Sequence, residues 1–237
     1  MTSSPPTPSK QEARLKAIMA QMPHFNNLPA EVQDAVAIAA TLRHFHTGQV
    51  IYLEGEPAEF VYILEHGWVK ATRMSRDGRE QAMLFLRPVE IFGDIAVFTD
   101  TAYPGTTTAL EAVDAWLIPS ATLMTLVKQY PELALAVICK LGRRVLHYIE
   151  LVEDLSLRSV EARLANTLLQ HAEDVDGRLV VPRRTWTTFD EMAVRLGTVR
   201  DVLSRTLKTL ELEGLLKVEK HEILVLDAKG LAERGNL

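Results

Sequence analysis

The most constraining feature of this 237-residue chain is the periodic apolar stretch PELALAVICKLGRRVLHYIELVEDL, which begins at Pro131. Apolar residues recur in it with spacings of 3, 4, 3, 4 and 3, the heptad seam of a helix that pairs with another helix. The seam comprises Ile138, Leu141, Val145, Tyr148, Val152 and Leu155. Further apolar residues (Val137, Leu146, Ile149, Leu151) predict a second buried face. A helix with two apolar faces needs two partners, so we predict packing on its own domain and a homodimer through the seam.

The segment from about residue 45 to 119 has the texture of short β-strands. QVIYLEG, FVYILEHGWVKATRM and QAMLFLRPVEIFG are β-branched and aromatic runs. Glycines separate them at intervals of 7 to 15 residues: Gly48, Gly55, Gly67, Gly78 and Gly93. This spacing predicts an antiparallel barrel, sandwich or roll, with Asp77-Gly78 in a tight hairpin turn.

The chain from Ser159 onwards is predicted to be helical and then to form short strands. Ser159 is placed to cap a helix, and Thr188 with Glu191 forms a capping box for the next one. Gly197 ends that helix, and a further helix over 199–213 stops at Gly214. Two alternating strands around Lys220-His221 follow. Two short helices joined at a glycine and followed by a hairpin predict a winged helix-turn-helix.

The second helix of this pair has two distinct faces. Its apolar face comprises Val199, Val202, Leu203, Thr206, Leu207 and Leu210, and the opposite face carries Arg200, Asp201, Ser204, Arg205 and Lys208. An Arg fork can bind both major-groove acceptors of guanine, and a carboxylate can accept from the cytosine amino group. We therefore predict that Arg200, Asp201 and Arg205 read G·C pairs. Ser204 and Lys208 suit phosphates or a neighbouring base edge.

Thr198 and Thr188, near the starts of the two helices, complete the predicted DNA-binding set. A solvated charged face is the alternative, and the capping box, turn and wing favour the DNA-reading interpretation. The net charge of −5 argues against a broadly basic coat. Residues 183–217 nevertheless carry seven Lys or Arg against five Asp or Glu. A local basic face is thus compatible with an acidic chain.

Composition narrows the remaining function classes. Cys139 is the single cysteine, so an internal disulfide, a cysteine-held zinc site and an iron–sulfur cluster are not expected. The sequence has no 18-residue apolar run and no nucleotide-binding, zinc-protease or nucleophile-elbow motif. MTSSPPTPSKQEAR has no apolar signal segment and is interpreted as part of a disordered tail. We expect a cytoplasmic protein that is not an enzyme and has no membrane partner.

The order of these parts resembles the CRP/FNR family of bacterial transcription regulators. GEPAEFVYILEHGWVKA, DGRE, IFGDIAVF and GTVRDVLSRTLKTLELEGLL carry the resemblance, which spans residues 25–228. It implies an α+β chain: an N-terminal antiparallel β-roll of jelly-roll type, a long dimerisation helix and a C-terminal winged helix-turn-helix. The expected boundaries are a tail over 1–22, a cyclic-nucleotide-binding-like effector domain over 23–130, the helix over 131–158 and the DNA-binding domain over 159–237.

The resemblance also implies a homodimer on a two-fold symmetric stretch of double-stranded DNA, acting as an activator together with RNA polymerase. Family members commonly carry Glu where Asp201 stands. The shorter Asp must approach its base more closely, which predicts a different half-site. A sensor module that regulates a protein partner is the alternative from another class, and it does not require paired arginines on the free helix face.

The effector stays open at this point. Cyclic-AMP-binding members carry an Arg-Ser pair after the FGE motif, whereas this chain has Pro104 and Gly105 in register and Asp94 for the glutamate. A buried phosphate without a cationic partner is costly, so cyclic AMP is not expected. The candidate pocket residues are Gly93, Asp94, Thr106, Thr107 and Tyr148. The alternatives are haem held by histidines (His24, His44, His46, His66 or His147), or no ligand and therefore no cofactor.

Overall fold

The computed structural model describes residues 9–23, 25–74, 80–183 and 188–236. The chain divides into two compact units, Met1–Val145 and Leu146–Leu237. The boundary between the units therefore falls inside the long helix, rather than at either end of it as the sequence predicted. Among the described residues, no helix is both long enough and apolar enough to cross a membrane.

The strands of the first unit form two antiparallel sheets of four strands each. One sheet has the order β1-β8-β3-β6 and the other the order β2-β7-β4-β5. The strands are β1 Thr41–Phe45, β2 Val50–Tyr52, β3 Phe60–His66, β4 Val69–Met74, β5 Glu80–Leu86, β6 Ile91–Phe92, β7 Thr106–Ala109 and β8 Val113–Pro119. Side chains from both sheets share one core, among them Tyr62, Leu64, Val69 and Ala109. The predicted antiparallel β-roll is confirmed.

The two strands of the hairpin predicted at DGRE are present, and they pair with each other. β4 pairs with β5 from Val69↔Leu86 to Met74↔Glu80, with a register shift between Ala71 and Thr72. The predicted turn residues Asp77 and Gly78 lie outside the described residues.

Helices cover the outer face of the first sheet. They are α1 Lys10–Met19, α2 Ala30–Ala39, α3 Asp94–Phe98 and α4 Ser120–Gln129, followed by the long α5 Pro131–Leu157. A second core lies under them and contains Leu15, Val36, Trp116 and Leu133. Because successive strand residues point to opposite faces, Ile63 joins this core while Tyr62 and Leu64 join the interior of the roll.

The expectation of a disordered tail over 1–22 is wrong for its second half. α1 begins with a capping box in which Ser9 Oγ accepts from the Glu12 amide at 3.2 Å and Glu12 accepts from the Ser9 amide at 3.1 Å. Leu15, Ile18 and Met19 are buried against the helix-covered core. The prediction rested on the Ser- and Pro-rich start of the chain. It missed the short helical spacing of apolar residues that follows immediately.

α5 exposes most of its heptad seam in the single chain. Ile138, Val145 and Val152 are 62%, 56% and 62% exposed, Tyr148 is 37% exposed, and Leu141 is partly buried. The side chain of Leu155 lies outside the described part of the chain.

The predicted second buried face of α5 holds only near its start. Leu133 and Ala136 are buried, and Val137 packs beside them. Leu146 and Ile149 are exposed, so the prediction that they are buried is wrong. The side chain of Leu151 lies outside the described part of the chain. The exposed apolar surface of α5 is thus wider than the predicted seam.

The second unit packs helices on one small sheet. Its elements are α6 Val160–Gln170, β9 Glu173–Val175, β10 Arg178–Pro182, α7 Phe189–Arg195, α8 Arg200–Leu212, β11 Leu216–Val218, β12 Glu222–Val225 and α9 Ala228–Gly235. The sheet is antiparallel with the order β11-β12-β10-β9. Ser159 caps α6 as predicted, since its Oγ accepts from the Ala162 amide at 3.1 Å. The predicted winged helix-turn-helix is confirmed.

Candidate nucleic-acid interface

The capping box predicted for α7 is present. Thr188 Oγ1 accepts from the Glu191 amide at 3.2 Å, and Glu191 Oε2 accepts from the Thr188 amide at 2.8 Å. The Thr188 hydroxyl also lies 3.3 Å from that carboxylate. Two amides that a helix start leaves unpaired are thereby satisfied, so the first helix of the pair begins at a defined residue.

The turn between α7 and α8 has the backbone geometry that the sequence indicated. Gly197 lies at φ +61°, in the left-handed region that favours glycine. The Thr198 amide then donates to the carbonyl of Ala193 at 2.9 Å, which closes the turn onto α7. Thr198, a predicted DNA contact, is half-buried between this turn and α8.

α8 packs by one face and exposes the other. Leu203, Leu207 and Leu210 are buried in the core of the second unit, and Val202 and Thr206 are half-buried. The opposite face is exposed at all five predicted positions: Arg200, Asp201, Ser204, Arg205 and Lys208. Val199 departs from the prediction, because it precedes the helix as its N-cap and is 64% exposed.

Arg205 and Asp201 interact through the backbone of the helix. Arg205 Nε donates to the carbonyl oxygen of Asp201 at 3.3 Å, rather than to its carboxylate. Asp201 stands in the first turn of α8, where the helix dipole favours negative charge. The exposed face therefore presents a guanidinium and a carboxylate one helical turn apart.

The wing beside α8 carries further charged groups. β11 and β12 pair with Lys217 opposite Leu224, and the Glu219 amide donates to the carbonyl of Glu222 at 2.9 Å. Lys217 Nζ donates to Glu219 Oε1 at 2.8 Å. This hydrogen bond raises the pKa of Lys217 and lowers the pKa of Glu219. Lys217 is therefore a cation on the exposed surface of the wing.

The candidate effector residues of the first unit lie near the end of β6 and on β7. Gly93 has φ +77°, and an added Cβ would stand 3.1 Å from the Phe60 carbonyl oxygen and 3.3 Å from Tyr103 Cε1. Thr106 Oγ1 accepts from the Glu54 amide at 3.0 Å, and Thr107 is fully buried. Tyr148, the remaining candidate, belongs to the second unit.

Asp94 is buried and paired with cations from α5. Its side chain is 3% exposed, Lys140 Nζ donates to its Oδ2, and Arg144 Nη1 lies 3.9 Å from its Oδ1. Burial lowers the pKa of Lys140, and the charge of Asp94 opposes that shift. Neither cation was predicted at this position, because Lys140 and Arg144 come from a helix that was assigned to dimerisation. The only signal was a lysine within an apolar run.

Aromatic side chains fill the interior of the roll next to these residues. Tyr52 stacks on Tyr103 with ring centroids 3.8 Å apart, and Tyr62 stacks on Phe92 at 4.8 Å. The Tyr103 hydroxyl donates to the Phe60 carbonyl at 2.7 Å. Burial raises the pKa of Tyr52 to about 12 and also raises the pKa values of Tyr62 and Tyr103. These tyrosines are therefore neutral core groups.

Three of the histidines considered for haem are described, and all three are exposed: His44, His46 and His66. His44 Nδ1 lies 2.5 Å from Asp114 Oδ1 and is 70% exposed. Within the described part of the chain, no three His, Cys, Asp or Glu side chains are grouped as metal ligands. His24 and the side chain of His147 fall outside that part.

Comparisons with known proteins agree with this architecture. The family model for the cyclic nucleotide-binding domain matches residues 42–130, and the model for the Crp-like helix-turn-helix domain matches residues 162–234. A "CRP-like cAMP-activated global transcriptional regulator" of Mycobacterium tuberculosis is 28% identical over 195 residues, which cover 81% of this chain and 86% of that protein. A "Global nitrogen regulator" of Synechococcus elongatus is 27% identical over 203 residues, 81% of this chain and 89% of the relative.

The fold matches solved structures over most of both chains. FixK2 from Bradyrhizobium japonicum superposes with a TM-score of 0.67 at 22% sequence identity, over 82% of this chain and 96% of the other. This level of identity supports the fold alone. Together, the two matched domains, their order along the chain and the curated relatives place the chain in the CRP/FNR family of transcription regulators.

Proposed function

We propose that this chain binds a two-fold symmetric DNA operator as a homodimer, reads its bases with α8 and activates transcription. The observation that carries the proposal is the outer face of α8. It exposes Arg200, Asp201, Ser204, Arg205 and Lys208 on a helix whose other face is fixed in the core. A helix held in this way by a capped partner helix and a glycine turn is suited to enter the major groove.

The residue types on that face match the chemistry of G·C pairs. Guanine offers two acceptors that a guanidinium binds at once, and the cytosine amino group donates to a carboxylate. Asp201 would repel phosphates, so its place on the face favours base reading over nonspecific binding. Ser204 and Lys208 would contact phosphates or an adjacent base. Thr188 and Thr198 would approach the backbone, although the Thr188 hydroxyl already serves the capping box.

A second copy of the chain is the partner that α5 requires. Ile138, Val145 and Val152 recur at heptad spacing, and each is more than half exposed in the single chain. Apolar residues in such a row are normally covered by another helix. A two-fold pair of chains would present two α8 helices to half-sites about one helical turn, roughly 34 Å, apart. A dimer of this kind would bind an operator with matching two-fold symmetry.

The proposal does not include cyclic AMP as the effector, although one relative is named as cAMP-activated. Pro104 and Gly105 stand where the family's phosphate-binding Arg and Ser are expected. Asp94 is already paired with Lys140, and tyrosines occupy the interior of the roll. These observations support DNA binding without that nucleotide. Activation through RNA polymerase, in the cytoplasm, rests on family membership.

Selection of binding sites from random duplex DNA, with and without cyclic AMP, tests the proposal. We expect one palindromic site with a G·C pair in each half, enriched equally under both conditions. Transcription from that site by purified RNA polymerase should rise when the protein is added. Failure to enrich any sequence would contradict DNA reading and favour a sensor that acts on a protein partner. Enrichment only with cyclic AMP would contradict the effector part alone.

A further inference from the structure

One guanidinium joins two backbone segments of the second unit. Arg163 lies in the first half of α6, and its side chain is half-buried. Its Nε donates to the carbonyl of Leu196 at 3.0 Å, and its Nη1 donates to the carbonyl of Arg158 at 2.9 Å. A longer contact of 3.5 Å joins Nη2 to the carbonyl of Gly197. Three different nitrogens of one side chain thus reach three backbone carbonyls.

One segment is the connection between α5 and α6, and the other is the turn between α7 and α8. Arg158 stands between α5, which ends at Leu157, and α6, which begins at Val160. Leu196 and Gly197 form the turn between α7 and α8. Carbonyls at a helix C-terminus have no partner within their own helix, so those of the turn are available to an outside donor. A charged donor forms stronger bonds with them than a neutral one.

The chemistry of these contacts requires an arginine. A guanidinium is planar and holds its donors in a fixed fork, so two bonds to the turn and one to the α5–α6 connection set their separation. A lysine ammonium is a single point charge on a flexible stem. It could reach one of the two segments without defining the geometry of both.

The position of the turn determines where α8 begins. The Thr198 amide is bonded back to Ala193, and the Leu203 amide donates to the carbonyl of Val199 at 3.1 Å as the first turn of α8 forms. Arg200 and Asp201 follow the turn directly. A shift of the Leu196 and Gly197 carbonyls would therefore displace the residues proposed to read bases. Contacts to base edges carry the sequence information and need placement within about 0.5 Å, whereas phosphate contacts carry no sequence information.

We propose that Arg163 is a positioning residue, which sets α8 for base reading by tying the turn before it to the connection after α5. This inference rests on the proposed function, since it assigns to Arg163 the placement of the reading helix and no contact with DNA. It predicts that loss of Arg163 harms sequence-specific binding and leaves nonspecific binding largely intact.

The test compares Arg163→Ala and Arg163→Lys with the intact protein on the selected operator and on a scrambled duplex. For Arg163→Ala we expect specific affinity to fall about 10- to 100-fold, the range for lost hydrogen bonds to a charged group, with less than a threefold change on scrambled DNA. Arg163→Lys should recover less than half of that loss on a logarithmic scale. An equal fall on both duplexes, or full recovery by lysine, would overturn the proposal.

Hydrogen exchange gives a readout that does not depend on DNA. In Arg163→Ala, the amides of Thr198 and Ala162 should exchange at least about tenfold faster, because the two tied segments open locally. The Leu231 amide, which donates to Asp227 at 3.0 Å in α9, should keep its rate. Unchanged exchange at Thr198 would contradict the positioning role even if the intact protein bound no DNA. A failure of the positioning role can therefore be distinguished from a failure of the proposed DNA-binding function.

Arg234→Ala is the matched control. Arg234 also donates to partners in the second unit, Glu161 at 3.0 Å and Glu213 at 2.8 Å, away from the turn. Its loss removes two ion pairs of the same unit and leaves the turn untouched, so specific affinity should stay within about threefold of the intact protein. An equal loss of specific affinity in both variants would mean that general destabilisation explains the effect, and it would overturn the proposal.

Discussion

Lys140 donates a hydrogen bond to Asp94, so a residue of α5 neutralises a carboxylate that is buried at the start of α3. The Lys140 side chain is itself only 20% exposed, and Arg144 stands 3.9 Å from the other carboxylate oxygen. Removal of one partner of a buried ion pair leaves an uncompensated buried charge and strongly destabilises the fold. Replacement of both partners by apolar residues of similar size is much less costly. The ion pair thus joins α5 to the β-roll.

Lys140→Met should lower the free energy of unfolding by about 2–3 kcal/mol, somewhat less than for a fully isolated pair because Arg144 remains near Asp94. Urea unfolding at pH 7 measures the change. The double variant Asp94→Leu, Lys140→Met should regain part of the loss, since neither charge is then buried. Lys128→Met, at an exposed lysine of α4, is the control and should have no effect. A stable Lys140→Met single variant would contradict the role of the pair.

The buried tyrosines of the roll predict a loss of stability at alkaline pH. Burial raises the pKa of Tyr52 from 10 to about 12, so between these values the folded chain keeps a proton that the unfolded chain releases. Stability is therefore full below pH 10 and falls as pH rises, by up to about 1.4 kcal/mol per pH unit for this group. Tyr52→Phe should reduce that slope by the same amount. Urea unfolding at several pH values from 8 to about 11.5 measures it, and an unchanged slope would contradict the assignment.

The parts of the fold that the sequence predicted are those with a strong local signal. Gly197 and the capping box of Thr188 and Glu191 are decided within a few residues, and both are present. The exposed face of α8 followed from helical periodicity because its leucines are spaced for one side. The local turn chemistry thus determined where the candidate DNA-reading residues lie.

The contacts that escaped prediction join residues far apart in the sequence. Lys140 meets Asp94 across 46 positions, and Arg163 meets Leu196 across 33. No periodicity or spacing in the sequence specifies such a pair. Taken alone, Lys140 and Arg163 look like ordinary cations on the surface of a helix. Leu146 and Ile149 were predicted to be buried but are exposed in the single chain. Apolar periodicity shows that a helix face is apolar, and it does not show whether the same chain covers that face.

The N-terminal helix should contribute to the stability of the first unit. Leu15 is fully buried against the helix-covered core, so Leu15→Ala should lower the free energy of unfolding by about 2–4 kcal/mol. Gln11→Ala, at an exposed position of the same helix, should change it by less than about 0.5 kcal/mol. Thermal or urea unfolding of both variants compares them. If the two behave alike, α1 is not packed on the domain.

The exposed seam of α5 should control the oligomeric state. Val145→Asp with Tyr148→Asp would place two carboxylates in the proposed helix pair, which cannot solvate them, so we expect a monomer in sedimentation at micromolar concentration. Arg143→Asp adds negative charge at an exposed position away from the seam and should leave the dimer intact. A dimer that survives the double substitution would remove α5 as the interface.

Loss of the Arg205 side chain and loss of the Lys208 side chain should affect DNA binding in different ways. Arg205→Ala eliminates a guanidinium suited to the two acceptors of guanine, and it should cost about 1–3 kcal/mol of specific binding while relaxing preference at one G·C pair in each half-site. Lys208→Ala should weaken binding to all sequences alike and reduce the dependence of affinity on salt, as expected for one lost phosphate contact. Titration of operator, single-base variants and scrambled duplex at two salt concentrations separates the two patterns. Since both side chains are exposed on the same helix, each variant serves as the folding control for the other. A uniform loss across sequences in Arg205→Ala would assign that residue to the phosphates and transfer base reading to Arg200 and Asp201.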